Sequence, residues 1–91
     1  MWVVYLVRCA DNTLYCGITN DLPARMAAHT AGKGAKYTRG RGPFELVATR
    51  RCREKGTALR IEYAVKQLGR ADKLQLDEKG LARLARYTRG A

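Results

Sequence analysis

Three side chains interrupt apolar stripes in this sequence, and all three can carry charge, coordinate a metal ion or move a proton. Between residues 21 and 31 the positions i, i+3, i+4 and i+7 are Leu22, Arg25, Met26 and His29. Leu22 and Met26 mark the inward face of a helix, so Arg25 and His29, one turn apart, point toward or beside whatever it packs on. Between residues 57 and 69 the stripe is Ala58, Ile61, Val65 and Leu68, with Glu62 on its flank. A carboxylate at the edge of a core is costly unless paired or metal-bound. Each residue also has an ordinary explanation. Arg25 can snorkel over a sheet, His29 can be a satisfied packing histidine, and Glu62 can pair with Lys66 one turn on. Tyr5, Tyr15, Tyr37 and Tyr63 can be core or half-buried aromatics.

The charge balance narrows the partners. The 91 residues carry 18 Lys and Arg against 8 Asp and Glu, a net +10. That excess, on a chain of one domain's length, is the electrostatic footprint of a nucleic-acid binder. It concentrates in residues 32–43, which hold four glycines, four cations and no acid. This stretch reads as a long basic loop. Lys33, Lys36, Tyr37, Arg39 and Arg41, with Arg50, Arg51 and Arg53, are the candidate nucleic-acid track. The competing reading of the stretch is a solvated flexible loop. A Gly-rich shallow groove suits single-stranded or branched DNA better than base-edge readout. RNA is a further possible partner. The three cysteines, Cys9, Cys16 and Cys52, form no Cys-x-x-Cys, and His29 is the single histidine. Reduced buried thiols in a cytoplasmic protein are expected, rather than a disulfide framework or structural zinc. The apolar run from Trp2 is too short to span a bilayer.

The elements that must position these groups follow from the patterning. Trp2–Cys9 and Leu14–Thr19 predict a β-hairpin. Asn20-Asp21 and Pro23 predict a helix over 21–31, stopped by Gly32. Phe44–Cys52 predicts a third strand, with Phe44, Leu46 and Ala48 on one face. A second helix is predicted from Thr57 to Gly69, and a third helical segment around 72–87 interrupted by Gly80. The fold class is therefore α/β: a small three-stranded antiparallel sheet flanked by helices, order β-β-α-β-α-α, in one domain spanning 1–91.

Val3-Val4-Tyr5, ten residues before Tyr15-Cys16-Gly17, resembles the signature of the GIY-YIG nuclease family. The family's two tyrosines and glycine match Tyr5, Tyr15 and Gly17. Its helical arginine matches Arg25, the His or Tyr one turn later matches His29, and its helical glutamate matches Glu62. Ala35-Lys36-Tyr37-Thr38-Arg39-Gly40 resembles a loop of the small stand-alone bacterial members of UPF0213 type. The first triplet keeps only its tyrosine, Cys16 replaces isoleucine in the second, and Ile18 stands where some relatives have lysine. The resemblance covers roughly residues 2–75. It implies a divalent-metal-dependent endonuclease hydrolysing DNA phosphodiester bonds in repair or processing. The alternative is a non-catalytic nucleic-acid-binding domain on the same fold.

The resemblance also implies roles. Glu62 would be the sole direct protein ligand of Mg²⁺ or Mn²⁺, which suits an ion that keeps its waters. Arg25 would hold the phosphate. Tyr5 would orient or deprotonate the attacking water, Tyr15 and His29 would position water and phosphate, and Gly17 would allow close approach. A monomer is expected, with a protein partner as a possible source of targeting. This arrangement demands Tyr5 and Tyr15 on one sheet face, hence paired residue numbers with an even sum. A three-residue loop Asp11-Asn12-Thr13 meets the demand, placing Cys9 opposite Tyr15 and Val7 opposite Gly17.

Overall fold

A computed structural model describes residues 1–31 and 43–88. In chain order these form β1 (Trp2–Arg8), β2 (Leu14–Thr19), α1 (Leu22–Thr30), β3 (Glu45–Cys52), α2 (Lys55–Lys66), α3 (Arg70–Leu74) and α4 (Glu78–Thr88). The strands make one antiparallel sheet, order β2-β1-β3. The apolar run of β1 is unbroken because β1 is central and covered on both faces. Val4, Tyr5, Leu6 and Val7 are all 0% exposed. The α/β class and the three-stranded antiparallel sheet are as the sequence predicts. None of the described helices is long and apolar enough to cross a membrane.

The hairpin has the expected parity in a different register. The Cys9 amide donates to the Thr13 carbonyl at 2.8 Å, and the Asn12 amide donates to the Cys9 carbonyl at 2.9 Å. The three-residue loop is thus Ala10-Asp11-Asn12, one residue earlier than predicted. Asn12 has φ 68°, a left-handed conformation that asparagine tolerates and that closes three-residue hairpins. The Asp11 carboxylate accepts from the Thr13 amide at 3.2 Å and from its hydroxyl at 2.6 Å, holding Thr13 as the first paired residue. In consequence Tyr5 lies opposite Gly17 and Val7 opposite Tyr15. The tyrosines share a face, as the even sum requires.

The two faces have separate coverings. Val4, Leu6, Cys16, Ala48 and Cys52 form a core with Ala58, Ile61 and Val65 of α2 and Leu81 and Ala85 of α4. Side-chain alternation sends Tyr5, Val7, Tyr15 and Gly17 to the opposite face, where α1 lays His29 against the two tyrosine rings. A bulge beside Leu6 and Val7 leaves Ala48 opposite Leu6 and Leu46 opposite Val7. Val47 is the extra residue, and it packs against the core. Leu46 is 42% exposed, so the predicted inward alternation of Phe44, Leu46 and Ala48 is broken by this bulge.

Helix ends also differ from expectation. Asp21 caps α1, accepting from the Ala24 amide at 3.2 Å, with Pro23 in the first turn. Glu54, not Thr57, is the N-cap of α2, and Gly69 is the N-cap of α3 rather than the stop of α2. The third helical segment is divided before α4 begins, and α4 runs through Gly80. The Gly80 amide is taken by the Asp77 carboxylate at 2.8 Å, and a Cβ there would stand 2.8 Å from Leu76 Cδ2. Gly80 therefore serves a tightly packed first turn instead of breaking the helix.

Candidate active site

Tyr5, on the central strand, is the hub of a buried polar cluster. The Arg25 Nε donates to the Tyr5 hydroxyl at 3.2 Å. The same oxygen lies 2.9 Å from His29 Nε2. Arginine has only donors, so the Tyr5 oxygen accepts from Arg25; the Tyr5 O–H donates to His29 Nε2 when the imidazole carries its proton on Nδ1. His29 is 1% exposed. Burial, and then the charge of Arg25, lower its pKa from the ordinary 6.5, so it rests neutral. Tyr5 is pulled both ways. Burial raises its pKa, the Arg25 hydrogen bond and charge lower it, and burial prevails. The resting group is a phenol.

Local structure explains why these groups meet. Gly17 sits directly opposite Tyr5. A Cβ at Gly17 would lie 2.5 Å from the Tyr5 hydroxyl, 2.7 Å from its Cζ and 3.0 Å from Tyr15 Cε2. Only glycine leaves room for the ring to fold across β2. At the end of β2 the Thr19 hydroxyl accepts from the Asp21 amide at 3.0 Å and donates to the Asp21 carbonyl at 3.2 Å. That clasp fixes where α1 starts, and Arg25 and His29 follow one and two turns later. Tyr15 also hydrogen-bonds Arg25; the Tyr5 bond comes first and the Tyr15 bond adds to it in raising the arginine's pKa. The rings of Tyr15 and Phe44 flank His29, with centroids at 5.6 Å and 5.7 Å.

Glu62 occupies a different place. It belongs to α2, which covers the opposite face of the sheet. Its side chain is 19% exposed, and Lys66 Nζ stands 3.8 Å from Oε2, a loose i, i+4 pair. Its charge is felt by Cys16, whose thiol is pushed up to about 12 by burial first and Glu62 second. Cys16 precedes Gly17 on the edge strand, so one strand separates the carboxylate's side from the tyrosine side. The described residues hold no cluster of three or more His, Cys, Asp or Glu side chains able to bind a metal ion. A single, loosely paired, half-buried carboxylate fits a hydrated hard cation held by one protein ligand.

The structure thus brings together Tyr5, Tyr15, Gly17, Arg25 and His29, while Glu62 lies apart from them, on α2 against the opposite face of the sheet. Lys33, Lys36, Tyr37, Arg39 and Arg41 lie outside the described residues. Arg50, Arg51 and Arg53 line a separate surface cavity with Arg60 and Arg86. Sequence reasoning missed those last two arginines, together with Phe44 and Thr19. The clasp had a signal in Thr19-Asn20-Asp21, three capping types in a row at the helix start. Phe44 had none, because its ring reaches His29 only through the pairing of β3. All three cysteines are buried free thiols, as expected.

Comparison with known proteins agrees with this architecture. Residues 1–75 match the GIY-YIG catalytic domain. A UPF0213 protein of Oceanobacillus iheyensis is 52% identical over 75 residues, covering 82% of this chain and 87% of the relative. A UPF0213 protein of Vibrio cholerae is 50% identical over 84 residues, covering 91% of this chain and 82% of the relative. The solution NMR structure of a UPF0213 protein from Bacillus halodurans superposes with a TM-score of 0.54 at 51% identity, covering 82% of this chain and 81% of that one. GIY-YIG domains form a nuclease superfamily that binds DNA and generally uses divalent metal ions. With its tyrosine pair, glycine, helical arginine and histidine gathered on one sheet face, and with these relatives, the chain belongs to the GIY-YIG family.

Proposed function

We propose that the protein is a divalent-metal-dependent endonuclease that hydrolyses phosphodiester bonds in single-stranded or branched DNA during repair or processing. We place it in the cytoplasm, as one domain over 1–91. The observation that carries this reading is the Tyr5 hydroxyl, held between the Arg25 guanidinium and a neutral His29 Nε2. A buried phenol–imidazole pair beside a cation is a proton path.

The chain's own residues would act as follows. Tyr5 is 0% exposed, so no water reaches its oxygen while Arg25 lies across it. A phosphate approaching the site competes for Arg25, whose planar fork matches phosphate oxygens. Arg25 swings outward to the phosphate, uncovering the Tyr5 oxygen and keeping its charge near the developing oxyanion. The attacking water gives its proton to the Tyr5 oxygen as the phenolic proton passes to His29 Nε2. The water oxygen bonds phosphorus, the bond to the leaving oxygen breaks, and solvent protonates that oxygen. Tyr5 is never a free phenolate, in keeping with its raised pKa. Tyr15, hydrogen-bonded to Arg25, would guide the guanidinium between its positions. Glu62 would hold the Mg²⁺ or Mn²⁺, which when bound polarises a phosphate oxygen and stabilises the leaving group.

Full burial of Tyr5 and the Glu62–Lys66 pair also favour a second reading, a non-catalytic nucleic-acid-binding domain that keeps the fold. The two separate on a panel of labelled DNA and RNA (single strand, duplex, flap, fork, junction) incubated with Mg²⁺ or Mn²⁺ and with wild type, Glu62→Ala or Tyr5→Phe. The nuclease reading expects metal-dependent products from wild type alone, with binding kept in both variants. Identical products from all three proteins, or none from any, would reject it.

A further inference from the structure

A second concentration of cations lies on the far side of the sheet from Tyr5. Arg50 and Arg51 of β3, Arg53 in the following turn, Arg60 of α2 and Arg86 of α4 line a surface cavity of about 390 Å³. Its inner wall includes Cys52, Ile61 and Ala85, all buried members of the core between the sheet and helices α2 and α4. Glu54 is the one carboxylate among the lining residues; with Arg51 turned to the other face by its pairing with Val3, Arg50, Arg53, Arg60 and Arg86 against Glu54 leave the cavity a formal 4 − 1 = +3. Strand β3 is the edge opposite β2. This cavity and the Tyr5 cluster therefore sit on opposite faces, toward opposite edges.

Its form distinguishes it from a solvated basic surface. The cations come from four segments and border one concavity instead of fanning outward along one helix; Arg50, opposite Val4, is on the core face, and Arg51, opposite Val3, alternates to the other. The start of α2 opens on the same cavity through Glu54 and Thr57. Glu54 makes no side-chain cap bond, and no acidic residue lies in the first turn of α2. The helix's first intrahelical bond is from the Ala58 amide to the Glu54 carbonyl, at 3.3 Å. The amides of Lys55, Gly56 and Thr57 precede it and add partial positive charge to that of the guanidinium groups. Like charges gathered in a bowl repel, and an anion seated among them reverses the sign of that interaction. Guanidinium forks and backbone amides together select phosphate oxygens.

We propose that this cavity is a phosphate-binding pocket that holds a nucleic-acid strand at a point remote from the Arg25 site. The proposal rests on the nucleic-acid reading above but not on cleavage. The phosphate can be an internal diester or a terminal monoester, which carries more charge near neutral pH.

The test is fluorescence anisotropy in EDTA, where no hydrolysis intervenes, across a NaCl series. The probe is a single strand of about 20 nucleotides labelled at its 3′ end, with either a 5′-phosphate or a 5′-hydroxyl. Arg60→Gln/Arg86→Gln changes two exposed residues, and its circular dichroism melt is recorded beside wild type. With each lost phosphate contact worth about 0.7 in the slope of log K against log salt for a single strand, and one phosphate seated in the pocket, the double variant should lose about 0.7. An equal loss on both probes places an internal phosphate in the pocket; a loss confined to the 5′-phosphate probe places a terminal one. On wild type, the unlabelled strand should move the Gly56 and Thr57 amide resonances. An unchanged slope and affinity on both probes, with those amides silent, overturns the proposal. Cleavage of the same strands by wild type in Mg²⁺ reads the nuclease assignment separately.

Discussion

Gly17→Ala tests the geometry of the site most directly, because the opposing terms can be weighed in advance. Gly17 lies outside the left-handed region of backbone conformation, so alanine meets no torsional penalty there. It should even gain about 0.4–1 kcal/mol by restricting the unfolded chain. Against this, the new methyl would stand 2.5 Å from the Tyr5 hydroxyl and 2.7 Å from Cζ. Those atoms end a rigid ring that is fully buried and tied to Arg25 and His29. Overpacking of this kind costs about 1–3 kcal/mol. The net expectation is a destabilisation of about 1–2 kcal/mol, a fall in Tm of roughly 4–16 °C for a domain of this size. Thermal denaturation by circular dichroism measures it, with the cleavage rate of a labelled strand recorded on the same samples. In a Tyr5→Phe background the hydroxyl contact disappears while the Cζ contact remains. The cost of Gly17→Ala should then shrink without vanishing, a coupling of about 0.5 kcal/mol or more. A Gly17→Ala protein with the melting temperature and cleavage rate of wild type would refute both the close approach and its importance.

Tyr5→Phe by itself removes the shared partner of Arg25 and His29. We expect about 1–3 kcal/mol of lost stability by urea titration and a drop in metal-dependent cleavage of about 10²-fold or more; undiminished cleavage would remove Tyr5 from the proton path. His29 is lowered below 6.5 when folded, so the unfolded chain takes up a proton first as pH falls. Its contribution is present above pH 6.5 and is lost as pH drops from there through the folded value, with a limiting slope of about 1.4 kcal/mol per pH unit. Urea titrations between pH 7.5 and about 5 should show this, and His29→Asn should flatten that part of the curve. Glu62→Gln should leave Tm within about 1 kcal/mol equivalent, because its pairing with Lys66 is solvent-screened, and should abolish cleavage while DNA affinity in EDTA holds. Cys16, with its thiol pushed up to about 12, should resist iodoacetamide at pH 8 in the native protein and react on unfolding; rapid native alkylation followed by mass spectrometry would contradict its burial beneath Glu62.

The site was legible in the sequence wherever one element places one residue. Arg25 and His29 are a helical turn apart, and that spacing alone puts them on one face. The parity rule required Tyr5 and Tyr15 to share a side, which the pairing of Tyr5 with Gly17 and Val7 with Tyr15 satisfies. The register itself escaped, because Asn12 in a left-handed conformation and the Asp11–Thr13 bonds decide which residue closes the loop. The N-cap of α2 was misplaced because Thr57 is a better capping type than Glu54, and tertiary docking overrode that preference.

Local periodicity and charge, which act within a few residues, determined the strands, the helices, the basic character and the identities of the chemically able groups. Tertiary structure alone decided that Tyr5 would be sealed between Arg25 and His29, that Glu62 would lie toward the opposite face of the sheet, and that Arg60 and Arg86 would join Arg50, Arg51 and Arg53 around one cavity. Those outcomes depend on which faces pack together and on the burial that follows. Desolvation sets the protonation of a phenol and an imidazole, and no run of neighbouring residues contains it.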